Sequence, residues 1–149
     1  MRAVVQRVAS ASVVVGSETV GSITGGLLVY AAAAPDDGDD DIRYVADKVA
    51  GLRIFTDPDG KMNLDVSQSG GAILLVSAFT VLADARKGRR PSFDASAPGA
   101  IAEPLVARLA AELHARNLRV ETGRFAADML VHSINDGPIC ILLDSRRLL

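Results

Sequence analysis

The chain has 149 residues, 49% of them hydrophobic and 23% charged, with a formal net charge of −2. That length and balance describe one soluble globular domain spanning 1-149, long enough for a real core, and they exclude a disordered chain or a nonspecific nucleic-acid coat, which would be basic overall. A lone cysteine, Cys140, excludes an intrachain disulfide framework and fits a reducing, cytoplasmic setting.

The opening residues Met1-Arg2-Ala3-Val4-Val5-Gln6-Arg7 lack the apolar core of a signal peptide, because charged and polar residues interrupt it. The first third reads as strands: Val4, Val8, Val13, Val15, Val20 and Ile23 mix with Ser, Thr and Gly at short intervals. Leu27 to Ala34 is apolar on both faces, as a central strand is, and the run to Pro35 is far short of the ~20 residues a membrane helix needs. The acidic run from Asp36 to Asp41 supplies a helix start, since carboxylates favour the positive end of the dipole and cap free N–H groups. Ile42, Val45, Ala46 and Val49 then fall on one helical face, and Gly51 is a stop.

Leu52–Phe55 and Met62–Val66 flank Asp57-Pro58-Asp59-Gly60, a hairpin turn. The alternative, a calcium loop, fails on spacing, with Gly too early and Gln68 where the bidentate Glu belongs. Ile73 to Val76 is the next strand. Ile101, Leu105, Leu109 and Leu113 mark an amphipathic helix over 101–116, with Pro104 tolerable in its first turn. Leu118–Glu121, Met129–Ile134 and Ile139–Leu143 close the chain as strands.

Candidate chemistry is sparse. His114 and His132 have no partners at a defensible metal-ligand spacing and read as structural or surface groups, so no metal and no cofactor is expected. Cys140, between Ile139 and Ile141, reads as a small buried hydrophobe. No phosphate loop, dinucleotide fingerprint or nucleophile elbow is present, so a Ser-His-Asp hydrolase is unsupported. Two segments and one cluster remain. Ser77 and Thr80 follow a strongly apolar strand, where turn hydroxyls bonded to local backbone are the plain reading. Asn135-Asp136-Gly137-Pro138 lies between two apolar runs and reads most simply as a β-turn. Arg86, Lys87, Arg89 and Arg90, restrained by Gly88 and Pro91, are either a solvated loop or a phosphate-binding surface.

Taken in order, Met1-Arg2-Ala3-Val4-Val5-Gln6-Arg7-Val8, Leu52-Arg53-Ile54-Phe55, Gly60-Lys61-Met62-Asn63-Leu64, Arg86-Lys87-Gly88-Arg89-Arg90-Pro91-Ser92-Phe93, Thr122-Gly123-Arg124-Phe125 and Asn135-Asp136-Gly137-Pro138 resemble the D-aminoacyl-tRNA deacylase (D-tyrosyl-tRNA deacylase) family. The resemblance runs from Met1 to Ser145. It implies a mixed α/β, β-rich barrel-like single domain with two main helices that forms a homodimer, needs no cofactor and has no membrane partner. It implies hydrolysis of the ester joining a D-amino acid, or glycine, to the terminal adenosine of tRNA. The family's Ser-Gln-x-Thr segment corresponds to Ser77, Ala78, Phe79 and Thr80, and its Gly-cis-Pro segment, which rejects L-amino acids across the subunit interface, to Gly137 and Pro138. The implied pocket is built largely from main chain, with the 2′-hydroxyl of the ribose helping to activate water. Arg86, Lys87, Arg89 and Arg90 are placed to meet the acceptor stem. Two positions depart from the pattern: Ala78 stands in place of Gln, and Cys140 in place of Thr. They leave a noncatalytic aminoacyl-tRNA-binding relative as the second reading. A purely structural scaffold leaves the basic run unexplained.

Overall fold

The computed structural model describes residues 1–149, and its organising element is strand β1 (Arg2–Val15). Strand β2 (Glu18–Ile23) folds back on Ala11–Val15, and β3 (Gly26–Ala32) pairs antiparallel with Arg2–Val8, so the two occupy successive halves of one edge of β1. Helix α1 (Asp39–Gly51) follows, then a small antiparallel hairpin of β4 (Phe55–Thr56) and β5 (Met62–Leu64). Strand β6 (Ala72–Ser77) runs parallel to β3; after α2 (Gly99–His114), β7 (Val120–Thr122) runs parallel to β6. The last strand, β8 (Leu130–Asp144), returns along the other edge of β1.

The main sheet has the order β2-β1-β3-β6-β7, with β8 added beside β1. Its ends curl toward each other. A Cβ at Gly21 of β2 would lie 2.5 Å from the carbonyl oxygen of Thr122 in β7, so glycine is what allows that approach. The result is the mixed α/β, nearly closed barrel with two helices that the family resemblance implies.

Period-two alternation sorts the strands into two cores. Leu27, Val29, Ala31, Ile73 and Leu75 face the helices and pack on Ile42, Val45, Ala46 and Val49 of α1 and on Leu105, Leu109 and Leu113 of α2. Leu28, Leu74 and Val76 face inward with Val8, Ala11 and Val13. Strand β3, flanked by β1 and β6, is therefore buried on both faces, as its unbroken apolar run predicts. No helix is long and apolar enough to cross a membrane.

Several local expectations need correcting. Ile101 is 42% exposed and not part of the buried stripe of α2, which begins at Ala102. A spacing of four residues advances about 40° per step around a helix, so Ile101 has rotated well away from Leu113. Pro104 lies two residues deeper than expected, past the first turn, because the helix begins at Gly99. Of the acidic run, Asp41 does cap α1, accepting from the N–H of Gly38 at 2.9 Å, but Asp37 turns into the core and binds the amino terminus. The hairpin turn forms as expected, with Asp57 Oδ1 accepting from the N–H groups of Asp59 and Lys61 and Gly60 at φ 78°.

The final two strands are one. β8 is continuous from Leu130 to Asp144, and Asn135-Asp136-Gly137-Pro138 is not a turn between separate strands. Gln6 pairs with Cys140 and Val8 with Asn135, so the segment Asp136–Ile139 opposes Arg7 alone and bulges out of the ladder. Asn135 closes the neck of the bulge, its amide donating to the carbonyls of Arg7 at 2.9 Å and Ile139 at 3.0 Å. The Gly137-Pro138 bond is cis. Cys140 is exposed, not buried, because one face of β8 is covered by nothing in the chain.

Candidate functional site

The apolar strand β6 ends at Ser77, which is in register with Ala31 of β3. One further ladder bond, from the Ala78 N–H to the Ala31 carbonyl at 2.9 Å, carries the rigidity of the sheet past the strand end. The chain then tightens into a short 3-10 turn, Phe79–Leu82. The leading N–H groups of such a turn have no partner inside it, so those of Phe79 and Thr80 point away from the turn. The Phe79 carbonyl is fixed by a 2.8 Å hydrogen bond from Ser96 Oγ, the one side-chain hydrogen bond that reaches this segment. The Ser77 and Thr80 hydroxyls are thus not spent on local backbone, contrary to the plain reading of the sequence.

Ser77, Ala78, Phe79 and Thr80 line one wall of a cavity of about 710 Å³. Of its 17 lining residues 13 are hydrophobic, so it is shaped for an organic ligand with a few placed polar contacts. Sequence reasoning misses the rest of the wall, which includes Tyr30 on β3, beside Val76 of β6, and the loop Phe125–Met129. Gly123 makes room for this wall, since a Cβ there would meet Met129 Sδ at 2.7 Å. Ala126 sits at φ 58°, in the left-handed region that disfavours a residue with a Cβ, and strain of that kind collects at sites. The sequence motif Thr122-Gly123-Arg124-Phe125 was the available signal, but nothing local says that it faces Ser77.

Tyr30 and Asp128 are the only titratable side chains in the lining. Burial raises the Tyr30 phenol above its ordinary value, so it stays protonated at neutral pH and serves as a donor. No histidine is near. His114 is exposed near the C-terminal end of α2, and His132 lies in a separate shallow depression with Ser10, Ser12, Ser22 and Ser133.

The basic run is a defined loop. Asp84 and Ser92 exchange backbone hydrogen bonds of 2.8 and 2.9 Å and close it at its base. Arg86 grips Asp84 through Nη2 at 2.6 Å and Nε at 2.9 Å, and this bond from Arg86 holds the Asp84 carboxyl down at about 2. That arginine is consequently committed to shaping the loop, while Lys87, Arg89 and Arg90 are exposed and carry no carboxylate partner. Phe93, just past the loop, packs edge-on against Phe79 with ring centroids 5.1 Å apart. Gly137 and Pro138 do not line the cavity of their own chain. They project on the bulge of β8, exposed.

A sequence model of the family "D-Tyr-tRNA(Tyr) deacylase" matches residues 4–144 of this chain. A protein named D-aminoacyl-tRNA deacylase from Thermotoga petrophila is 52% identical over 148 residues, 99% of each chain. One of the same name from Anaeromyxobacter dehalogenans is 55% identical over 148 residues, again 99% of each. Among solved structures, one titled "c-Myc DNA Unwinding Element Binding Protein" is similar with a TM-score of 0.91 and 36% identity, covering 97% of this chain and 98% of that one. A second, titled as a probable eukaryotic D-amino acid tRNA deacylase, shares the fold with a TM-score of 0.80 at 18% identity, covering 95% and 97%.

Proposed function

This chain belongs to the D-Tyr-tRNA(Tyr) deacylase family, and we infer that it is a D-aminoacyl-tRNA deacylase: a hydrolase that cleaves the ester between a D-amino acid and the terminal ribose of tRNA. The observation that carries this reading is the apolar cavity at the end of β6, which holds free hydroxyls and main-chain N–H groups but no histidine, beside a loop of unpaired cations. An aminoacyl ester is already activated. Positioning it, and meeting the developing oxyanion with N–H groups such as those of Phe79 and Thr80, supplies the needed assistance without a nucleophilic side chain. The cations Lys87, Arg89 and Arg90, shaped by Arg86, serve the phosphates of the same substrate. The setting is the cytoplasm, where aminoacyl-tRNA is used.

Single-turnover hydrolysis tests this directly. D-tyrosyl-tRNA should be hydrolysed at least about a hundredfold faster than L-tyrosyl-tRNA, a difference of roughly 2.7 kcal/mol between enantiomers. Equal rates would overturn the assignment. Tight binding of both without hydrolysis would establish the noncatalytic alternative, and would point to Ala78, which brings no side-chain amide to the cavity wall.

The active unit in this reading is a homodimer. β8 pairs with β1 along one edge and leaves its other edge open, and it exposes Leu130 (66%), Ile134 (63%) and Leu142 (57%). A long strand with a free edge and an apolar face is a surface awaiting a partner. Gly137-Pro138 projects from the same strand, where a second copy could bring it over the cavity. Main chain held there rejects an L-amino acid by leaving no volume for its side chain, and glycine, with no side chain, passes. Sedimentation at micromolar concentration should give about twice 15.6 kDa. A monomer with full activity would remove Gly137 and Pro138 from the site.

A further inference from the structure

Between the cavity and the cationic loop lies an aromatic surface that the hydrolysis itself does not use. Phe79 is 54% exposed and Phe93 38% exposed, and the two rings meet edge to face at 5.1 Å. Their positions are fixed from behind: Ser96 Oγ holds the Phe79 carbonyl, and the Asp84–Ser92 bridge immediately precedes Phe93. From Phe93 to Arg90 is three residues, at most about 11 Å of chain. Exposed aromatic rings beside unpaired cations form the combination that binds single-stranded nucleic acid, with bases stacked on the rings and phosphates on the cations. Within the loop and its base, four cations stand against the carboxylates Asp84 and Asp94, and Asp84 is already neutralised by Arg86.

We propose that Phe79 and Phe93 form a stacking platform for the unpaired nucleotides just inside the 3′ end of the tRNA, with Lys87, Arg89 and Arg90 holding their phosphates. This deepens the deacylase reading and rests on it for the identity of the RNA. The terminal aminoacyl-adenosine enters the cavity, and the nucleotides before it cross its rim over Phe79 and Phe93 toward the loop. Phe93 is a positioning residue: it touches neither the ester nor water, but fixes Phe79 and extends the platform. The single-stranded end is favoured over a duplex as the occupant because duplex bases offer no free faces to a ring.

Binding of two uncharged RNA minihelices, identical except that one carries a four-nucleotide 3′ overhang and the other is blunt, tests the platform. The wild-type protein should bind the overhang RNA roughly tenfold more tightly, the effect of one stacked base, and Phe93→Leu should abolish that advantage while Phe93→Tyr keeps it. Lys87→Ala with Arg89→Ala should instead flatten the salt dependence of binding to the overhang RNA. In kinetics, Phe93→Leu should slow hydrolysis of D-tyrosyl-tRNA more than that of D-tyrosyl-adenosine, which lacks the preceding nucleotides. Equal wild-type affinity for the two RNAs, or an overhang preference that survives Phe93→Leu, overturns the platform. So does a Phe93→Leu protein that sediments at half the wild-type mass, which would assign the pair to the subunit contact. If wild type hydrolyses D-tyrosyl-tRNA yet ignores the overhang, the platform fails and the deacylase reading stands. If it prefers the overhang through Phe93 without hydrolysing, the platform stands and the deacylase reading fails.

Discussion

D-tyrosyl-tRNA ending in 2′-deoxyadenosine is expected to be hydrolysed about 10²- to 10⁴-fold more slowly than the normal substrate, the range that a positioned acid or base contributes. Thr80→Ala, by contrast, should remain within about tenfold of wild type, since loss of one neutral hydrogen bond near a reacting group is a small fraction of that range. The difference follows from the cavity lining. A serine or threonine nucleophile needs a base within hydrogen-bond reach, and both histidines lie elsewhere in the fold. Tyr30 cannot take the proton, because burial raises its pKa and keeps the phenol intact at neutral pH. In the proposed reading the substrate's own ribose hydroxyl, adjacent to the ester, orients the attacking water. Single-turnover rates with the two tRNAs and with the Thr80→Ala protein make the comparison. An aminoacyl ester trapped on Ser77 or Thr80 would sink this account. Full-rate hydrolysis of the deoxy substrate would transfer the base role to Asp128, the remaining titratable side chain in the cavity.

The sequence discloses features whose cause is local. The buried stripe of α1 follows from the spacing of Ile42, Val45, Ala46 and Val49, and β3 from its two-faced apolar run. The Asp57–Gly60 turn is written in residues that bond to their own neighbours. Features set by distant partners are hidden. Asp136–Ile139 has the composition of a turn, and only the antiparallel register with β1 makes it a bulge in one strand. Cys140 sits between two isoleucines, yet β8 has an uncovered face, so the apolar neighbours do not bury it. The candidate site divides in the same way. Ser77–Thr80 and the cationic loop stand out in composition, whereas Tyr30 and Phe125–Met129 reach the cavity through pairings of β3 with β6 and of β6 with β7. Asp37 was concealed by its company, one carboxylate in an acidic run that otherwise behaves as a helix start.

Replacing that residue, Asp37→Asn, should cost about 3–5 kcal/mol of folding stability, the usual consequence of removing one partner from a buried ion pair. The Met1 ammonium donates to Asp37 Oδ1 at 2.6 Å, and both side chains are fully shielded from solvent. Asp37 Oδ2 accepts from the Ala34 N–H at 2.7 Å. Asparagine is nearly the same shape but carries one acceptor and one donor, so its amide group must point N–H at either the ammonium or the Ala34 N–H. The charge is lost as well, leaving a buried cation with Ser145 Oγ at 2.7 Å and the more distant Asp41 at 3.8 Å. Asp41 does not compensate. Burial pushes its carboxyl up, but bonds from the Ser145 hydroxyl and Gly38 N–H and the nearby ammonium outweigh it and leave the pKa lowered, so this anion is already committed. The knot also joins the chain's ends: Ser145 N–H donates to the Met1 carbonyl at 2.9 Å, and Arg2 pairs with Asp144. Loosening it therefore frees the outer ends of β1 and β8 together, the strand pair that carries the bulge and the exposed apolar face. Urea denaturation should show the Asp37→Asn midpoint lowered by roughly 2 M at unchanged slope. Asp36→Asn, which alters an exposed partner of Arg146, is the control and should leave the midpoint in place. If both variants unfold with wild type, the ammonium reaches water and the buried pair is not what fixes the two ends.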